Sequence, residues 1–414
     1  MSNNVYIHSV GMTKFGKFIE KSIKDLTGEA LKSLKDDNGI NLRTIESAWF
    51  SNAAWGMYEF QHSIRGQVAL SANKIDKIPI INVENACASG STAFHGAWMS
   101  IKAGLYDCVL AIGAEKIYQE DRAKMMKGFM TYTDVERTRK LIKSLKQQAE
   151  KEKAEKPNNQ GNEQKDKKKG GHSAFMDLYA MAARNHMRKY GTTQRHMAVV
   201  ASKNHNNSTL NPLAQYTFPM TVEQVMEDYE VAFPLTRSMC APVGDGAAAA
   251  ILCSEKFLTE HPVDNAILIH ASVVRSGSWK SDDIAKRAAK AAYEMSGLTP
   301  KDIDVAEVHD ATAFGEIHQI EQMGFCPVGK GGPFTQSGAT ALNGEIPVNP
   351  SGGLLSRGHP LGASGLAQIY ELVVQLRGKA GERQIKNPKL ALAENGGGNI
   401  GFGEAALCVH ILEK

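Results

Sequence analysis

Hydrophobic and polar positions recur along this chain in a way that predicts a fold built twice. A helix-like stretch, LTGEALKSLKDD (26–37), leads into Gly39-Ile40-x4-Ile45-x2-Ala48 and then the apolar WFSNA. The same order returns as AKRAAKAAYEM (285–295), Gly297-Leu298-x4-Ile303-x2-Ala306 and EVHDA. Ala88-Ser89-Gly90 opens an apolar helical run that stops at Gly104, and Ala363-Ser364-Gly365 opens another that stops at Gly378. GDGAAAAILC (244–253) matches GFGEAALCVH (401–410), each reading as a buried strand entered through glycines. Strands alternating with helices predict α/β layers, and three matches in one order predict two similar halves facing each other.

The spacings locate an insertion. Gly90 and Gly244 stand 154 residues apart, Gly365 and Gly401 only 36, so the first half carries about 118 extra residues. The expected organisation is an N-terminal half over 1–258 with an inserted loop domain at about 120–237, then a C-terminal half over 264–414. Two halves also suit 414 residues, too many for one ordinary core. Excursions of this length usually cover an active site or make subunit contacts.

Composition narrows the class. Hydrophobic residues are 42% and charged residues 22%, as in soluble globular proteins. No apolar run reaches membrane-spanning length, MSNNVYIHSV lacks a signal-peptide layout, and ILEK is not a peroxisomal address. Six cysteines (87, 108, 240, 253, 326, 408) are scattered without a CxxC pair or zinc-ligand spacing. Free thiols in a reducing cytoplasm and no metal site are expected. The formal charge of +4 is local: Arg137–Lys169 holds twelve Lys/Arg against five Asp/Glu, leaving −3 elsewhere, so no nucleic-acid-binding face is indicated. That run is polar enough to be a solvated loop; the competing reading is that its lysines meet an anion such as the phosphates of CoA, or a partner protein.

Chemistry concentrates at glycine-rich turns. In IPIINVENACASGSTAFHGAWMSIKAG, Cys87 stands between a strand and a helix, followed by small residues. A thiol there meets the positive end of the helix dipole, which favours the nucleophilic thiolate; a buried structural cysteine is the alternative. NPSGGLLSRGHPLGASGLAQ (349–368) sets His359 among glycines at the mouth of a helix, a placement suited to a base for a thiol; the Lys-Ser/Thr of a phosphate loop is missing. The duplication gives Cys87 and His359 nearly corresponding places, so face-to-face packing would bring them together. His309, in EVHDATAFGEIHQIEQ, ends an apolar run and reads equally as a core histidine. AENGGGNIGFGEAA offers Gly396, Gly397 and Gly398 as backbone donors to an oxyanion.

These motifs resemble the thiolases, above all the sterol-carrier-protein type: NACASGS around Cys87, GDGAAA at 244–249, HDATAF at 309–314, GHPLGASG at 358–365 and the glycine-rich end at 396–403, in order across nearly the whole chain. The resemblance implies a duplicated five-layer αβαβα fold with an inserted loop domain and a homodimer or larger core. CoA would be a substrate, held partly by the loop domain, with no covalently bound cofactor. It implies Cys87 as the acyl-accepting nucleophile and His359 as its base. His359 and His309, the latter through a water, would hold the thioester oxygen of the second CoA substrate, and the amides of Cys87 and Gly397 would form the other oxyanion hole. Thiolases usually carry a second cysteine before the terminal glycines as the α-carbon acid/base. Asn395 stands there instead and cannot exchange a proton at neutral pH, so that work would fall to His309 or a water; the alternative is that Asn395 donates a hydrogen bond to the departing or attacking enolate. A similar glycine-rich ending occurs in thiolases that work with a small zinc-ribbon/OB-fold companion protein, including archaeal acetoacetyl-CoA thiolases, phloroglucinol C-acetyltransferases and benzoylsuccinyl-CoA thiolase. The expected activity is thiolytic cleavage of a 3-oxoacyl-CoA by CoA, on a bulky or aromatic substrate such as benzoylsuccinyl-CoA. Acetoacetyl-CoA thiolysis and C-acyl transfer to a non-CoA acceptor are alternatives. A non-catalytic CoA-binding subunit is disfavoured by the retention of Cys87, His309 and His359 together.

Overall fold

The computed structural model describes residues 4–140, 143–144, 174–280, 283–401 and 403–414; the Lys-rich run lies almost wholly outside them. The first half contributes β1 (Val5–Met12), β2 (Ser47–Ser51), β3 (Ile80–Val83) and β4 (Cys108–Glu115). A small ladder of β5 (Glu230–Ala232) and β6 (Leu235–Thr236) precedes β7 (Gly246–Ser254). The second half contributes β8 (Ile267–Ser276), β9 (Val305–Glu307), β10 (Leu390–Ile400) and β11 (Gly403–Glu413). Nine strands hydrogen-bond in the order β3-β2-β4-β7-β1-β8-β11-β10-β9.

The duplication expected from the sequence is visible in the strand order, four strands of each half corresponding. From the centre outward the first half runs β1-β7-β4-β2-β3 and the second β8-β11-β10-β9, with matching directions: antiparallel, antiparallel, then parallel. Ala48 pairs in parallel with Ile80 of β3, and its counterpart Ala306 bridges in parallel to Val348. The halves meet in a short antiparallel seam, Tyr6↔Leu268 and Ile7↔Ile267.

Side-chain alternation then builds the layers, because successive strand residues face opposite sides. Val109 and Ala111 of β4 pack inward with Ala363, Leu366 and Leu372, whereas Leu110 and Ile112 pack outward with Leu26, Leu31 and Leu34 of the helix Ile23–Asn38. In the second half Leu407, Val409 and Ile411 pack outward with Ala285, Ala288 and Ala292 of the helix Ile284–Ser296. Between the half-sheets lie two helices, Ser89–Lys102 behind Cys87 and Leu361–Leu376 behind His359. The order is helix, sheet, helix, sheet, helix. The His359 helix is buried at every position but Tyr370, which accounts for its apolar character all round. Its buried Glu371 is paired with Arg383, and its Gln368 side chain donates to the Glu394 carbonyl. Among the described residues no helix is long and apolar enough to cross a membrane.

Glycines let the central helices approach. A Cβ on Gly90 would stand 2.9 Å from the Gly362 carbonyl oxygen, and one on Gly365 would stand 2.6 Å from the Ser91 nitrogen and overlap its hydroxyl. Gly365→Ala should therefore destabilise the fold by about 1–3 kcal/mol, read as a lower denaturation midpoint at unchanged m-value. A midpoint equal to wild type would show that the helices do not touch there.

Candidate active site

Cys87 follows β3 through a tight turn. Ala86 occupies the left-handed region at φ 49°, uncommon for a residue with a Cβ, and its N–H donates to Glu84 Oε1 at 2.6 Å. Ser89 closes the turn: its hydroxyl accepts from Asn85 N at 2.8 Å and donates to the Ala86 carbonyl at 2.6 Å. The thiol is thereby set at the start of its helix.

His359 precedes the other central helix, whose first turn is tied to the first half of the molecule. Glu115, the last residue of β4, accepts from Gly362 N at 3.0 Å, from the amides of Ala53 and Ala54, and from the Asn52 side chain. Burial pushes its carboxyl up to about 7. His309 sits just beyond β9; its backbone N–H donates to Glu394 Oε2 at 2.8 Å, and burial raises the Glu394 carboxyl well above its ordinary range.

The three side chains singled out from sequence converge: the Cys87 sulfur and one ring nitrogen from each histidine lie within 4.8 Å of one another. The imidazoles stand edge to face, ring centroids 5.3 Å apart. Hydrogen bonds behind them fix complementary tautomers. Ser364 Oγ donates to the Pro360 carbonyl at 2.9 Å, so at 2.7 Å it accepts from His359 Nδ1–H, leaving Nε2 with a free lone pair. The Asn395 amide donates to His309 Nδ1 at 3.0 Å, which puts the His309 proton on Nε2. One ring can accept a proton while the other donates a hydrogen bond. A thiol and two imidazoles are also donors that zinc takes, but ligation by His309 would require an Nδ1–H facing the Asn395 amide donors.

The electrostatics correct one expectation. Burial pushes the Cys87 thiol up to about 12, reinforced by Glu115 and Glu84 and opposed by the backbone N–H groups of Gly398 and of Cys87 itself. Burial holds His309 down at about 4, and burial with the neighbouring His309 and Arg357 holds His359 well below its ordinary range. The resting site is a neutral thiol beside neutral imidazoles, because desolvation outweighs the helix dipole. The backbone amide directed at the sulfur is that of Gly398. Gly397 packs against the Cys87 turn, where a Cβ would fall on Ala88 N. Asn395 is wholly buried behind His309.

A cavity of about 210 Å³ opens on these groups. The excursion contributes Met126, Phe129, Tyr132, Phe175 and Tyr179 to its wall, so this side is apolar and aromatic. Glu404 and Cys240 also line it. Sequence reasoning passed over Glu115, Glu394 and Glu404. A signal for Glu404 was present: it occupies the place of Ala247 in the two glycine-led strands, a carboxylate where the other copy has a methyl group.

Two family models match, "Thiolase, N-terminal domain" over residues 5–232 and "Thiolase C-terminal domain-like" over 267–413. The chain is 36% identical over 419 residues to an acetyl-CoA acetyltransferase of Methanothermobacter thermautotrophicus, covering 99% of this chain and 100% of that one. It is 37% identical to bovine sterol carrier protein 2 (98% and 72% covered) and 32% identical to the benzoylsuccinyl-CoA thiolase subunit BbsB of Thauera aromatica (96% and 96%). Among solved structures, the Ltp2-ChsH2(DUF35) aldolase superposes with a TM-score of 0.74 over 99% of this chain and 97% of that one, at 20% identity.

A neutral Cys87 has a kinetic signature. Alkylation by iodoacetamide should be slower at pH 7 than for an ordinary cysteine and should climb about tenfold per pH unit through pH 10 without levelling. A plateau below pH 8 would demonstrate a standing thiolate.

Proposed function

The chain belongs to the thiolase family and is an acyltransferase of that family, and we propose that it cleaves a 3-oxoacyl-CoA with CoA, or runs the reverse condensation, through an acyl-thioester on Cys87. The observation that carries this is the convergence of one thiol with two imidazoles of opposite tautomer. His359 Nε2 takes the thiol proton as the sulfur attacks the substrate carbonyl, so the thiolate forms only when an electrophile is present. The backbone N–H groups of Cys87 and of the 397–398 segment stabilise the oxyanion. His309 Nε2–H holds the thioester oxygen of the departing or attacking acyl-CoA.

The aromatic wall supports a bulky or aromatic acyl group such as that of benzoylsuccinyl-CoA, in keeping with the likeness to BbsB. The Tyr132 hydroxyl is buried without a hydrogen-bond partner among the described residues, which leaves it for a polar atom of that group. A small companion protein is proposed as well: BbsB is named as a subunit, and the aldolase is a two-component Ltp2-ChsH2(DUF35) assembly. We assign the halves to 1–258 and 264–414, with the 120–237 excursion covering the acyl cavity of a homodimer-forming core.

Incubation with acetyl-, benzoyl- and phenylacetyl-CoA followed by intact mass measurement and peptide mapping should place the acyl group on Cys87. Cys87→Ser should lower turnover by roughly 10³-fold or more. Acylation on Cys240 would overturn the assignment, and carbon–carbon cleavage persisting at full rate in Cys87→Ala would point to aldol chemistry instead.

A further inference from the structure

The proposed reaction leaves one requirement unmet. Breaking or making the C2–C3 bond passes through an enolate of the shorter acyl-CoA, and some group must move a proton at C2. The expected cysteine is absent, since Asn395 is buried behind His309. His309 does not serve either. Its Nδ1 lone pair is engaged by the Asn395 amide and its Nε2 carries the proton, so in this tautomer it can donate a hydrogen bond but cannot accept a proton from carbon. His359 must hold the proton that the departing Cys87 thiolate recovers, so it cannot take one from carbon in the same step.

The remaining titratable groups on the cavity wall, among the described residues, are Tyr132, Tyr179, Cys240 and Glu404. Burial lifts both phenols well above their usual range and the Cys240 thiol to about 12. The Cys240 Sγ donates to the Thr236 carbonyl at 3.4 Å. Glu404 differs from these in chemistry and in mounting. It is the one carboxylate among the described wall residues, carried on β11 opposite Asn399 of β10. Its side chain lies across Gly396, where a Cβ would stand 2.8 Å from its Cγ. The same glycine segment packs on the Cys87 turn through Gly397 and directs the Gly398 amide at the sulfur. Gln319 Nε2 donates to Glu404 Oε1 at 3.0 Å, which orients the group and leaves Oε2 outside that bond.

Resting on the thiolase reading, we propose that Glu404 is the catalytic acid/base at the substrate α-carbon, taking the role that a second cysteine would have. In the condensing direction the Glu404 carboxylate removes a proton from C2 of the acyl-CoA bound as nucleophile, and the electron pair passes to the thioester oxygen held by His309 Nε2–H. The enolate attacks the Cys87 thioester, and the Cys87 thiolate leaves and recovers its proton from His359. In the cleaving direction the protonated Glu404 returns its proton to C2. The proton that His359 took from Cys87 then passes through solvent to the Glu404 carboxylate, restoring the acid, and the neutral His359 takes the proton of the incoming CoA thiol and delivers it to the departing Cys87 thiolate.

The test separates the half-reactions on the intact protein, with acetyl-CoA as probe. In D₂O, exchange of the acetyl methyl protons reports proton transfer at C2, and intact mass reports acylation of Cys87, which does not need it. Glu404→Gln should lose exchange by about 100-fold or more while keeping acylation within about threefold of wild type. Glu404→Asp should recover part of the exchange. Three results would overturn the proposal: exchange within about threefold of wild type in Glu404→Gln, equal loss of exchange and acylation in that variant, or exchange lost instead in Cys240→Ala. A wild type that acylates Cys87 without exchanging also overturns it and leaves the acyl-enzyme reading standing. Failure of both steps in the wild type removes that reading and this one together.

Discussion

The crossing of two buried helices at glycines is the constraint on which the rest depends. Gly90 faces Gly362 and Gly365, with room for no Cβ, and this close contact sets the N-terminal ends of both helices side by side. Cys87 and His359 come from positions 272 residues apart in the chain, yet each immediately precedes its helix. Glu115 adds a second tie, because a carboxylate from the first half-sheet accepts from an amide in the first turn of the His359 helix. Separating the halves would break the core and the site at once, since the same contacts make both.

Desolvation governs the chemistry that this contact creates. Burial raises the thiol and lowers both histidines, so charge is absent until an electrophile arrives. A pre-formed thiolate would be the stronger nucleophile in the resting protein, but it would also be open to alkylation and oxidation. The neutral arrangement relies instead on hydrogen bonds that select tautomers in advance. Ser364 and Asn395 act on the second nitrogen of each ring, and by doing so decide which histidine accepts and which donates. Asn395 marks a departure from the usual thiolase pattern, and in this structure it has become a support for His309.

Much was legible in the sequence alone. The duplicated pattern of helix, glycine and apolar strand determined two equivalent halves, and the strand order repeats them down to the parallel pairing of Ala48 and Ala306. Cys87, His359 and His309 stood out because a reactive side chain among glycines or at a strand end is a local signal, readable without knowing what lies opposite. Family membership followed from the order of those motifs. Local patterns of this kind survive in one dimension because period, turn chemistry and small residues act over a few positions.

Tertiary structure decided what depends on distance and burial. Sequence placed Cys87 in the field of a helix dipole and so suggested a thiolate; only the packed site shows that desolvation wins. Tautomers were beyond reach, since each rests on a partner whose orientation the fold sets: Asn395 is 86 residues from His309. Glu404 escaped notice because a lone glutamate in a strand is ordinarily a solvated edge. It became a candidate when the β10–β11 ladder laid it across Gly396 on the cavity wall. Sequence determined which residues carry chemistry, and the fold determined their charge, their proton positions and their neighbours, because those are set by atoms remote in the chain and close in space.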